Sequence, residues 1–286
     1  MEDLQGRVAV ITGGGGGIGE GIAQACAAAR MKVVVADIAV PDAERVAAEL
    51  RRGGAEALAV ACDVSERASV EALAKRVRRV FGAVHLLCNN AGVLLRGPLV
   101  ERSEADWEWV IGVNLRGVAN GVAAFVPHMQ AQGGPAHIVN TASIGGLVGL
   151  PGYGVYSATK SAVVSLSEVL REEVSACGIG VSVLCPGGVA TRVTRSARNR
   201  PDALGGAGES DDAASAPDGA ASDGAVGSGT SEVLSAREVG RLVLLGVRAN
   251  DPFIATHPAW GEAVAARNEV VLASFDTCAR RRAATG

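Results

Sequence analysis

Short apolar runs alternate with long alanine-rich stretches along most of the chain. "RVAVIT" is followed by the helix-like "GIGEGIAQACAAAR", then by "KVVVAD", "DAERVAAELRR" and "ALAVACD". The apolar period switches between unbroken strand-length runs and helical spacing, which predicts βαβ units and a parallel sheet. The alternation continues through "ERASVEALAKRVRRVFG", "VHLLCNNAG", a helical region from Trp107 to Met129, "AHIVNTAS", "YSATKSAVVSLSEVLREEVSACG" and "IGVSVLCPGG". That gives six strands with helices between them, and "DPFIATH" supplies a seventh. Val8 to Ile11 and Val33 to Ala36 are apolar at every position, as expected of strands covered by helices on both faces. The expected fold class is therefore α/β, a doubly wound parallel sheet of about seven strands.

Residues 192–234 interrupt this rhythm. Within them, Gly205 to Ser231 holds Val226 as its one large aliphatic residue and no aromatic or basic residue, too little apolar surface to offset ordering entropy. We expect a flexible acidic excursion there, either a lid or an inert insertion. It is preceded by the basic "RVTRSARNR" and followed by a helix from about Ala236. Residues 251–286 predict a strand, a His-Pro turn and an amphipathic helix.

Composition narrows the function classes. With 48% hydrophobic residues among 286 the chain can bury a sizeable core, and a formal net charge of -3 offers no broad basic field for nucleic acid or an anionic membrane. The N-terminus lacks a signal-peptide layout, and no apolar run reaches the roughly 20 residues of a membrane span, so a cytoplasmic location is expected. Six scattered cysteines and four dispersed histidines show no metal-ligand spacing, and each histidine reads as a packing or surface residue.

Against this background the stretch "TGGGGGIGE" from Thr12 to Glu20 is informative, because it lies directly between a predicted strand and a predicted helix. In a βαβ unit that turn brings backbone N–H groups and a helix N-terminus to a dinucleotide pyrophosphate. Its spacing is T-G-x-x-x-G-x-G. Five further matches follow in order: Asp63-Val64 after the third strand, "NNAG" at Asn89 to Gly92, "NTAS" with Ser143, "YSATK" with Tyr156 and Lys160, and "PGGVAT" at Pro186 to Thr191. Together these resemble the short-chain dehydrogenase/reductase family over roughly Gly6 to Thr191, which implies a single Rossmann-like domain across residues 1–286.

The resemblance implies a division of roles. Gly13 turns the chain, Gly17 and Gly19 admit the pyrophosphate and a close helix, and Ile18 offers its backbone N–H. Asp63 and Val64 bracket the adenine, and Asn90, Ala91 and Gly92 let the backbone approach the cofactor. Val189 and Thr191 hold the nicotinamide carboxamide. Asp37, at the end of the second strand, suits the ribose hydroxyls and repels a 2′-phosphate, and with Ile38 next and no Arg or Lys in the glycine loop, no cation compensates; NAD is the expected cofactor.

Tyr156 and Lys160 are i, i+4 on one helix face, where an ammonium can lower the phenol's pKa. Ser143 can donate to the substrate oxygen while Tyr156 exchanges the proton. Asn114, in "GVNLRG", matches the family's fourth catalytic position, where it kinks its helix and holds a relay water. Tyr153 has Ser157 rather than a cation at i+4 and is assigned to the substrate pocket with Ser143 and Tyr156. Leu95, Ile144 to Tyr153 and Gly187-Gly188 should line that pocket, and "IGGLVGLPGYG" offers no cation to an acidic group, so an uncharged hydrophobic or alicyclic alcohol or ketone is the expected substrate, while the four arginines of "RVTRSARNR" leave a carboxylated or acyl-thioester one open. The alternatives are an NADPH-type carbonyl or 3-oxoacyl reductase and a non-catalytic dinucleotide sensor. The helices from Asn114 to Met129 and Tyr156 to Cys177 suit a homodimer or homotetramer. The atypical C-terminus departs from the family's usual tail.

Overall fold

The computed structural model of the chain describes residues 1–206 and 232–285. Seven parallel strands form one sheet: β1 (Val8–Thr12), β2 (Lys32–Asp37), β3 (Ala57–Ala61), β4 (Leu86–Asn89), β5 (Ala136–Thr141), β6 (Ile179–Cys185) and β7 (Phe253–Ala255). Their spatial order is β3-β2-β1-β4-β5-β6-β7. The order reverses between β1 and β4, so their C-terminal ends flank the crevice where open α/β sheets bind ligands.

Helices α1 (Gly17–Ala28), α2 (Val40–Arg52), α3 (Arg67–Phe81), α4 (Glu104–Ile111), α5 (Gly117–Gln132), α6 (Gly154–Val174), α7 (Ala236–Ala249) and α8 (Gly261–Ala283) complete the fold. The apolar runs divide by parity between two cores. Ala9, Ile11, Val33 and Val35 pack with Ile22, Val46, Val243 and Val247 beneath α1, α2 and α7. Val8, Val10, Val34 and Ala36 face Leu73, Val77, Phe125 and Leu170 on the other side. Burial on both faces explains why these strands show no polar alternation.

Helix α7 starts at Ala236, as expected, behind a capping box: the Ser235 hydroxyl accepts from Glu238 N–H and the Glu238 carboxylate accepts from Ser235 N–H. It lies directly against α1: a Cβ on Gly21 would collide with the Ala236 carbonyl, and one on Gly240 with the Gly21 carbonyl. This backbone-to-backbone packing fixes α1, and with it the glycine loop, against the rest of the molecule.

The helical region expected from Trp107 to Met129 runs from α4 to α5 through a π-helical turn, Gly112–Arg116. At 29 residues this continuous helix is long and apolar enough to cross a membrane, yet more than half of its apolar window is buried in the fold. The C-terminal strand and helix both form, but α8 has no buried residue. Its apolar side chains Val270, Val271, Leu272 and Phe275 are exposed.

Both described limbs of the excursion are anchored. Arg200 bonds Asp106 of α4 at 2.7 Å and lies 5.3 Å over the Trp109 ring. On the return, Leu234 N–H donates to Gly188 O and Ala190 N–H to Leu234 O, each at 3.0 Å. Residues 207–231, which include most of the segment expected to be flexible, lie outside the described residues.

Candidate active site

A groove runs along the C-terminal ends of β1, β2, β4, β5 and β6, and it brings together residues from Gly13 to Asn199. Its floor is the glycine loop. Gly13 has φ +62°, and a Cβ there would stand 2.8 Å from Ala91 Cα, so only glycine lets the loops after β1 and β4 touch. A Cβ on Gly19 would collide with the Gly13 carbonyl, which fixes the tight entry into α1. That helix starts with no side-chain cap, and Gly16, Gly17 and Ile18 line the groove. Its first-turn N–H groups are left for a ligand, and an anion suits a helix N-terminus. The residues present therefore fit a dinucleotide.

Asp37 is held firmly beside this loop. Its Oδ2 accepts from Gly15 N–H and its Oδ1 from Ala39 N–H, both at 2.9 Å. Ile38, 47% exposed, lines the same end with Asp63 and Val64. One Asp63 oxygen, Oδ1, is engaged by the Ser65 N–H at 2.9 Å and by the Ser65 hydroxyl at 2.7 Å. The sequence reading that no cation stands near this end is corrected by the fold. Arg192 donates to Asp42 Oδ2 at 2.8 Å, and its guanidinium lies 3.0 Å from where a Gly16 Cβ would be. Arg45 reaches Gly15 O at 3.1 Å but is itself paired with Glu20 and Glu49. Neither arginine belongs to the loop sequence; both are carried in by other elements.

Asn90, Ala91 and Gly92 form the adjoining wall. Asn90 binds protein more than space: its Nδ2 donates to Thr12 O at 3.0 Å, while Thr141 Oγ1 donates to its Oδ1 at 3.3 Å. Thr12, to which the sequence reading gave no role in the site, accepts from the N–H groups of Asn90 and Ala91 at 2.9 and 3.1 Å and so joins the ends of β1 and β4.

Ser143, Tyr156, Lys160 and Asn114 converge at the inner end. Ser143 stands two residues past the end of β5; its Oγ accepts from Gly145 N–H at 3.1 Å, and its hydroxyl favours the Tyr156 phenolate. Lys160 Nζ lies 5.6 Å from the Tyr156 ring centroid and donates to Thr141 O at 2.8 Å. A Cβ on Gly92 would be 3.4 Å from both Lys160 Nζ and Asn114 Oδ1, so this glycine separates the two. Asn114 is fully buried in the π-helical turn. Its Oδ1 accepts from Val93 N–H at 2.8 Å and its Nδ2 donates to Val93 O at 3.0 Å, which accounts for the helix distortion expected there.

Electrostatics modify the sequence reading. Burial pushes the Tyr156 phenol above its ordinary value, opposed by the Ser143 hydrogen bond, so with the protein alone desolvation outweighs the lowering expected from a neighbouring cation. Burial likewise lowers Lys160 to about 8.

Val189 and Thr191 border the groove opposite α1, and the Thr191 methyl lies 3.0 Å from where a Gly17 Cβ would be. Their loop is fixed by a residue that sequence reasoning treated as packing. His257, 2% exposed, accepts at Nδ1 from Gly187 N–H at 3.1 Å and from the Thr256 hydroxyl at 2.7 Å; with Nδ1 so engaged, Nε2 donates to Gly188 O at 2.9 Å. The available signal was its place two residues past "FIA", a strand end beside β6.

The substrate wall also differs from expectation. Leu95 is buried in a cluster with Trp109, Val110 and Val155 rather than facing the groove, while Val93, Trp109, Val113 and Val193 do line it. Tyr153, expected in the substrate pocket, stands at the start of α6 with the Arg96 guanidinium 5.3 Å over its ring, and neither residue is among those lining the groove.

A doubly wound sheet with a glycine-rich crevice and a Ser-Tyr-Lys-Asn cluster at its inner end defines a dinucleotide-dependent oxidoreductase. The family model for short chain dehydrogenase matches residues 7–202, and the chain belongs to the short-chain dehydrogenase/reductase family. It is 42% identical over 209 residues, 73% of this chain and 68% of the relative, to a C alpha-dehydrogenase of Sphingobium sp. strain SYK-6. It is 36% identical over 203 residues, 70% of this chain and 71% of the other, to a CLA biosynthesis dehydrogenase/reductase of Lactiplantibacillus plantarum. Among solved structures it resembles a short chain dehydrogenase/reductase from Burkholderia phymatum in complex with NAD, with a TM-score of 0.86 and 41% identity over 96% of this chain and 97% of that one.

Proposed function

We propose that the protein is an NAD-dependent oxidoreductase that interconverts a secondary alcohol and a ketone, with Tyr156 as general acid/base. The observation that carries this reading is the convergence of Ser143, Tyr156 and Lys160 at the inner end of the groove, with the Lys160 ammonium 5.6 Å from the phenol ring centroid. When bound, the nicotinamide supplies the hydride acceptor or donor. Ser143 holds the substrate oxygen, and Tyr156 takes the hydroxyl proton in oxidation and returns it in reduction. Lys160 supplies the positive field that favours the phenolate, while Asn114 keeps the loop after β4 in register with it. Gly13, Gly17, Ile18 and Gly19 would hold the pyrophosphate, Asp37 and Ile38 the adenosine ribose side, Asp63 and Val64 the adenine, and Val189 and Thr191 the carboxamide.

NAD is preferred over NADP in this reading because the Asp37 carboxylate, fixed by two N–H donors, occupies the 2′ side. The similar Burkholderia protein in complex with NAD supports the same choice. The apolar lining at Val93, Trp109, Val113 and Val193 favours an uncharged hydrophobic or alicyclic substrate. One Rossmann-like domain would span the chain, with residues 192–234 bordering the substrate, and pairing through α5 and α6 would give a homodimer or homotetramer. The test is turnover of a panel of ring alcohols, neutral and carboxylated, with NAD⁺ and NADP⁺. Turnover of neutral members with NAD⁺ is expected. Preference for NADP⁺ would point to the reductase alternative, and tight NAD binding without turnover of any member to a dinucleotide sensor.

A further inference from the structure

Arg192 occupies a position that the family motifs leave unassigned. It follows Thr191 at the start of a short helical stretch, Val193–Asn199, on the rim of the groove opposite the glycine loop. From there its guanidinium crosses to α2, where it donates to Asp42 Oδ2 at 2.8 Å. On the way it passes Gly16, at 3.0 Å from where a Cβ would stand, so a side chain on that glycine would push the guanidinium aside. The chain segments on the two sides of the groove, 150 residues apart, are thereby joined above the uncapped start of α1.

Among the described residues the Arg192 guanidinium donates to one acceptor, Asp42 Oδ2. Asp42 faces Arg192 from α2, Asp37 lies at the same end but is bonded to backbone N–H groups, and Arg198 stands behind, donating to Arg192 O at 3.1 Å. Two arginines thus face two carboxylates. The Arg192–Asp42 pair is itself half exposed, at 47% and 32%, and an ion pair of that kind contributes little to folding. Stability alone therefore gives little reason for this placement. A guanidinium presents several donors in one plane, so it can keep one carboxylate oxygen and bond a second anion.

We propose that Arg192, anchored by Asp42, is the cationic strap of the dinucleotide site, binding a diphosphate from above while the N–H groups at the start of α1 bind it from below. This deepens the reading of the groove as a cofactor site and is independent of which alcohol is turned over. Asp42 acts here as a positioning residue and Arg192 as an affinity determinant for the diphosphate.

Calorimetric titration tests this without any turnover. Wild-type protein, Arg192→Ala and Arg192→Lys are titrated with NAD⁺, ADP-ribose and adenosine, with a thermal melt of each variant. Binding of NAD⁺ and ADP-ribose by the wild type examines the cofactor reading itself, whereas the difference between variants examines the strap. Arg192→Ala should raise Kd for NAD⁺ and ADP-ribose about tenfold, the loss of one charge-assisted contact, with adenosine binding and the melting temperature unchanged. Its affinity should also fall less steeply with added KCl. Arg192→Lys, which keeps the charge, should recover most of the loss. ADP-ribose binding unchanged in Arg192→Ala, a loss equally large for adenosine, or no recovery in Arg192→Lys would overturn the proposal. So would tighter binding in Arg192→Ala, which would make the pair a barrier to entry.

Discussion

Lys160 offers a test in which function and stability should move in opposite directions. Its side chain is 3% exposed, and burial lowers its pKa from 10.5 to about 8. At pH 7 the group is still charged, so the folded state bears the cost of holding that charge out of water. A shift of this size corresponds to about 3 kcal/mol. Replacing Lys160 by Met keeps an unbranched chain of similar length and removes the charge. The hydrogen bond to Thr141 O is lost, which costs about 1 kcal/mol. Lys160→Met should therefore be more stable than the wild type by about 2 kcal/mol at pH 7, while losing activity.

The sign with pH follows from proton binding. Between about pH 8 and 10.5 the unfolded chain keeps the Lys160 proton and the folded protein does not, so this group's contribution makes stability rise with pH across that window. Lys160→Met lacks the rise, so its advantage should shrink from pH 7 to pH 10. Urea unfolding at both pH values, followed by circular dichroism, measures this, and the gain at pH 7 corresponds to roughly 3 °C in melting temperature. A Met variant less stable than the wild type at pH 7, or an advantage independent of pH, would refute the reasoning.

Asp37→Ala should raise the KM for NAD⁺ about tenfold and narrow the gap to NADP⁺, because it removes an acceptor and a repelling charge together; steady-state kinetics with both cofactors measure this. His257→Ala removes three hydrogen bonds around the loop at Gly187-Gly188, at a cost of about 3 kcal/mol in a denaturant melt, and should raise the KM for NAD⁺ as well. His257→Gln, whose amide can both accept and donate, should recover part of each. In a similar way, deletion of residues 261–286, which remove no buried side chain of α8, should leave the melting temperature of the monomeric unit nearly unchanged.

The sheet was legible because its strands are short, apolar at every position and separated by helical spacing, and this local signal survives without knowledge of contacts. Glycine loop, Asp37, Ser143, Tyr156 and Lys160 were legible for a related reason: each sits at a strand end or on one helix face, where order along the chain maps onto order along the groove. Arg192 and His257 escaped because their roles depend on long-range closure. Arg192 meets Asp42 across 150 positions, and His257 reaches Gly188 across 69. The phenol was misjudged for a different reason. Spacing places a cation one turn from Tyr156, but only the fold shows that both groups are buried and that desolvation dominates the pair. Leu95 illustrates the same limit, since its apolar character suits the core cluster and a substrate wall equally well.

The central claim is that Tyr156 exchanges the proton with the reacting oxygen while Ser143 holds that oxygen. Tyr156→Phe removes one hydroxyl from a buried ring, so binding of NAD⁺ measured by calorimetry should stay within about twofold of the wild type. The turnover number on the best alcohol of the panel should fall by a factor on the order of a thousand, as expected for loss of a positioned acid/base. Turnover within tenfold of the wild type, with NAD⁺ binding intact, would contradict the account and place the proton transfer on another group.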